Sequence, residues 1–138
     1  MTRLWLLTAL VPVIYLGAVS RASTAVRTQP KLALASDPER FAQLVAASGG
    51  VGPARRGLAL DAVFIAMVAG VWAPLLGDWW GLAAGAAVID TAEDVLLLRA
   101  LAAPPTASQL RRLGWVSRTK YVGYAAAAVG LAVRVVTW

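Results

Sequence analysis

The chain contains no cysteine, no histidine and no asparagine, and only 7 of its 138 residues are acidic. Without cysteine there are no disulfides, thiolate metal ligands or cysteine nucleophiles. Without histidine the usual haem and zinc ligand and the commonest acid–base side chain are missing. No P-loop, serine-nucleophile motif or cofactor motif is present either, so no cofactor is expected. Charged residues of both signs make up 14% of the chain and apolar ones 59%, which leaves too little polar surface to cover a small soluble globule. These scarcities point to an all-α, polytopic membrane protein.

Four apolar segments, about 4–20, 58–77, 79–102 and 120–138, each approach the ~20 residues that cross a hydrocarbon core. The expected fold is a single four-transmembrane-helix bundle over residues 1–138, with loops at 21–57 and 103–119. Arg21, Arg27, Lys31, Arg40, Arg55 and Arg56 fall in the first of these loops. Arg99, Arg111, Arg112, Arg118 and Lys120 lie in or beside the second, and the short turn near Gly77 has no basic residue. By the positive-inside rule both basic loops are cytoplasmic and both termini lie outside. Trp5, Trp72, Trp79, Trp80 and Trp138 then gather at the outer interface, where an indole keeps its ring apolar and its N–H wet. Cleavage after Ala18-Val19-Ser20 would turn the first segment into a signal peptide, but it would also put a strongly basic loop outside, so an uncleaved helix fits better.

Within the first loop, Ser36-Asp37-Pro38-Glu39 matches a capping box. Phe41, Leu44 and Val45 follow at helical spacing until Gly49-Gly50. The pattern predicts a short interfacial helix on the cytoplasmic face of the bilayer, with a docking surface as the alternative. The arginines carry no aromatic interleaving, so nucleic acid is not an expected partner. Pro104-Pro105 should stop the third span, and a helix capped by Thr106 or Ser108 should run on into the fourth.

The most informative residues are Asp90, Glu93 and Asp94, inside an apolar span where one central carboxylate costs on the order of 2.5 to 3.5 kcal/mol. At 100° per residue they share one face with Ala83, Ala86, Ala87, Leu97 and Leu101, while Val88, Val95 and Leu96 point elsewhere. Counting ~1.5 Å per residue from the tryptophan ends puts Asp90 at roughly 16 Å, near the midplane, and Glu93 and Asp94 at roughly 21 to 22 Å. Lys120, Tyr121 and Tyr124 come to roughly 27, 25 and 21 Å, Asp61 to roughly 24 Å and Tyr15 to roughly 15 Å. A polar layer is therefore expected from Asp61, Asp90, Glu93, Asp94, Lys120, Tyr121, Tyr124 and Tyr15, with Lys120 paired to Glu93 or Asp94.

One ammonium does not balance four carboxyl groups, so a proton, a metal cation or an amine is expected to complete the set. The alternatives are a network that only fixes helix register, and contact with a charge on another membrane subunit. The size of the chain favours an accessory or binding subunit of a bacterial inner-membrane assembly, whose partners are the bilayer and a membrane protein or a second copy of itself. A cation, proton or small-ligand transporter and a metal-dependent enzyme acting on a lipid headgroup are the other readings.

Overall fold

The computed structural model describes residues 7–137, and every regular element in it is helical. Trp5, Trp138 and the start of the first predicted span lie outside the described residues. Helix α1, Leu10–Ala22, ends at an extended Ser23 whose hydroxyl caps α2, Thr24–Ala33, by accepting from the Val26 amide. The chain bends here through 103°. Pro12 lies in the first turn of α1, where no intrahelical N–H is needed, and so makes no break within that helix.

Helix α3, Pro38–Ala47, starts as the capping pattern predicts, but the cap is Asp37 and not Ser36. The Asp37 carboxylate accepts from the Arg40 amide at 2.8 Å. That bond is the main reason its pKa is lowered, the Ser36 hydroxyl adding to it. The helix closes on Gly49 and Gly50, both at positive φ, 95° and 102°, with the Gly50 N–H reaching back to the Val45 carbonyl.

Helix α4, Val51–Met67, runs through a wide π turn, Val68–Trp72, into the short α5, Ala73–Leu76. Pro74 has no N–H and its ring crowds the carbonyl four residues back, and a wide turn just ahead relieves that crowding. A 3-10 turn, Gly77–Trp79, reverses the chain into α6, Trp80–Ala102. Ala103 is extended before Pro104-Pro105, and α7 then runs unbroken from Ala107 to Thr137. Thr106 and Gln109 cap it reciprocally: each backbone N–H bonds to the other's side-chain oxygen.

Antiparallel register follows from the contacts. Asp61 of α4 meets Asp94 of α6, and Asp90 of α6 meets both Lys120 and Tyr124 of α7. A Cβ built on Gly123 would lie 3.3 Å from Ala86, so α6 and α7 approach too closely for a larger side chain there. The buried residues on α6 are Ala83, Ala86, Ala87, Asp90, Glu93, Asp94, Leu97 and Leu101, the stripe that its sequence predicts.

Two dry clusters stand above and below the carboxylates. Near the Gly77 turn, Phe64, Val68, Trp72, Leu75, Leu76, Ala83, Ala127 and Leu131 pack together. At the arginine-rich end, Leu97, Leu101, Leu110 and Leu113 pack with Leu32, Phe41, Leu44 and Leu58. The structure thus corrects two expectations. The apolar face of α3 is filled by its own protein and not by a membrane surface. Trp72 is 7% exposed, a core residue whose indole N–H bonds to the Ala9 carbonyl, while Trp79 and Trp80 are exposed.

Among the described residues one stretch, 51–102, is long and apolar enough to cross a membrane, and the bent pair of α1 and α2 makes a second if taken as one span.

Candidate functional site

Four helices bring their polar residues to one layer between the two dry clusters. Helix α6 contributes Asp90, Glu93 and Asp94, spaced so that all three face inward. Lys120 of α7 sits opposite. Its ammonium lies 2.8 Å from Asp90 Oδ1 and 2.8 Å from Glu93 Oε2. Tyr124, one turn along, donates its hydroxyl to Asp90 Oδ2 at 2.5 Å. Asp90 and Glu93 are 1% and 0% exposed and Lys120 only 7%, so this ion pair is almost wholly buried.

The second half of the layer is centred on Gln29 of α2. Its side-chain amide donates to Asp61 at 2.6 Å and to Asp94 at 3.1 Å, holding together two carboxylates that would otherwise repel. Oxygens of Asp61, Asp90 and Asp94 all lie within 4.8 Å of one another. Two further atoms, Glu93 Oε1 and Ser117 Oγ, are buried with no hydrogen-bond partner among the described residues. Each such group costs about 1–3 kcal/mol of desolvation.

The layer is not sealed. A half-open cavity of about 300 Å³ reaches it from the side, between α1, α2 and α7. Asp61, Asp90, Lys120 and Gln29 supply its polar wall, and Phe64, Trp72, Tyr121 and Tyr124 its aromatic one, with Val13 and Leu16 of α1 at the rim. The rings of Phe64 and Trp72 both contact Tyr124, with centroids 5.6 and 6.3 Å apart. Tyr121 is 46% exposed, and its ring lies 5.7 Å from the Lys120 ammonium, a cation–π distance.

Of the eight residues singled out in the sequence, seven meet in or beside this layer. Tyr15 does not. It comes to a similar depth but donates to the Leu60 carbonyl at 3.0 Å, tying α1 to α4. The expected ion pair of Lys120 with Glu93 is present, and Asp90 is a second partner that counting did not name. Asp94 is only one residue beyond Glu93 but is rotated by ~100° about α6, and it meets Gln29 and Asp61 instead.

Gln29 was missed because residues 21–57 read as loop. A signal was present: Val26, Gln29, Leu32 and Ala33 repeat at helical spacing behind Ser23. Pro30 obscured it. Ser117 was missed as well, being one of many hydroxyls in the chain.

No protein family, curated protein or solved structure matches the chain.

Proposed function

We propose that this chain is a small multi-pass integral membrane protein that binds an organic cation in the cavity of its polar layer, as a binding or accessory subunit of a membrane assembly. The observation that carries this reading is Asp61. Among the described residues it faces the cavity with no cation of its own: the neutral Gln29 amide donates to it and the Asp94 carboxyl lies beside it, while the Lys120 ammonium is already engaged by Asp90 and Glu93. A positive ligand would offset the remaining negative charge. An anion would meet repulsion, and a neutral solute would leave the charge uncompensated. The aromatic wall fits the same ligand, since ring faces attract alkylammonium groups.

Four crossings are consistent with the lengths. The stretch 51–102 doubles back at Gly77–Trp79, and each arm, at ~1.5 Å per residue, exceeds the ~30 Å of a hydrocarbon core. The apolar part of α7 and the segment 4–20, which ends before the 103° bend at Ser23, would supply the others, Lys120 being hidden within the bundle. The basic segments support a bacterial inner-membrane topology with both termini outside. Depth argues against a lipid phosphoester as substrate: ten residues of α6 separate Trp80 from Asp90, ~15 Å, near the midplane.

The test is the thermal stability of the purified chain in detergent with tetraethylammonium, sodium or magnesium added. Tetraethylammonium should raise the melting temperature of the wild type and leave Asp61→Asn, which keeps a hydrogen-bonding partner for Gln29, unmoved. No shift in the wild type, or an equal shift in Asp61→Asn, sinks the proposal. A shift with magnesium alone would favour a second reading, a divalent ion among Asp61, Asp90 and Asp94, whose close oxygens support it.

A further inference from the structure

A second cavity lies away from the polar layer and has the opposite charge. It encloses about 230 Å³ between the C-terminal end of α6 and the first turns of α7. Arg99 comes from one helix and Arg112 from the other, with Ser108 and Gln109 on the same wall and Leu96 and Leu113 beneath. Both arginines are exposed and neither forms an ion pair among the described residues. No acidic residue follows Asp94 in the chain, so α7 offers none to neutralise them.

We propose that Arg99 and Arg112 bind a phosphate-bearing anion in this cavity. Two guanidinium groups on one small cavity repel each other until an anion lies between them, and their planar forks match phosphate oxygens. The Ser108 hydroxyl, 3.0 Å from that of Thr106, becomes a further donor when it turns from Thr106 to the anion. The Gln109 amide nitrogen is another, since that side chain uses its oxygen to accept from Thr106.

The apolar residues fit the glycerol and first methylenes of a lipid. Nineteen residues of α6 separate Trp80 from Arg99, ~28 Å, which sets the arginines at the headgroup level opposite the exposed tryptophans. A lipid headgroup and a soluble phosphate share this chemistry, and the experiment separates them.

The full-length chain in neutral detergent is melted, by its tryptophan fluorescence, against dioctanoyl phosphatidylglycerol and, separately, inorganic phosphate. Phosphatidylglycerol should raise the melting temperature of the wild type. The variant with both Arg99→Gln and Arg112→Gln should need at least about tenfold more lipid for the same shift. The variant with Arg55→Gln and Arg56→Gln, the same charge removed elsewhere, should behave as wild type. A full shift with inorganic phosphate alone keeps the site and assigns it to a soluble ligand. Should the double variant not fold, Arg112→Lys, which retains charge but loses the fork, is expected to weaken the shift. No shift with either phosphate source overturns the proposal. So does a response that is unchanged when Arg99 and Arg112 are replaced.

Discussion

The seam between α6 and α7 and the arm formed by α1 face each other across the cavity beside the polar layer, and they are built on opposite terms. Along the seam small residues let the backbones close, and the Lys120 ion pair is shut inside with almost no exposed area. Helix α1 buries only Pro12, exposes Leu10, Val11, Val13 and Ile14, and is held to the bundle by single hydrogen bonds, Tyr15 to Leu60 and Trp72 to Ala9. The difference teaches where stability and access reside. The seam holds the charges in place, and the loosely tied α1 lines the open side of the cavity.

Breaking the seam should have the largest effect. Lys120→Met leaves Asp90 and Glu93 buried without a cation, for an expected loss of about 3–5 kcal/mol. Thermal unfolding in detergent measures it, and an unaltered melting temperature would show that the pair is not holding the fold. Next comes Gly123→Leu, which must push α6 from α7 and should cost about 1–3 kcal/mol by the same assay. On the arm, Tyr15→Phe removes one neutral hydrogen bond and should cost only about 0.5–1.5 kcal/mol. If it destabilised as much as Gly123→Leu, the contrast between seam and arm would be wrong.

Leu16→Ala widens the cavity rim and should alter tetraethylammonium affinity while scarcely moving the melting temperature. The smallest effect is expected at Asp37, outside both regions. Its lowered pKa means that its cap supports the fold above the ordinary carboxylate value of 3.8 and ceases to do so as the pH falls through the lower folded value. Asp37→Ala should therefore differ slightly from wild type at neutral pH, and the difference should shrink as the pH falls below the ordinary carboxylate value.

Much of this was legible because helical periodicity is a local property. The inward stripe of α6 follows from 100° per residue, the turn at Gly77 from glycine beside an apolar run, and the unbroken α7 from the Pro-Pro stop and the cap behind it. Nearness of Lys120 to the carboxylates followed from counting residues along rods of fixed rise. Counting failed where the chain bends. The 103° turn at Ser23 carries α2 into the bundle, so a segment that read as loop supplies Gln29, the donor that holds Asp61 to Asp94.

Composition, periodicity and residue count by themselves determined an all-helical chain with a carboxylate layer at a set depth, because each depends only on the rise and rotation of one helix. Tertiary structure decided which oxygen meets Lys120, that Trp72 is core and that Tyr15 stands outside the network. It also decided that two cavities of opposite charge open on the bundle. Those depend on the lateral register of one helix against another, which is set by side chains far apart in the chain.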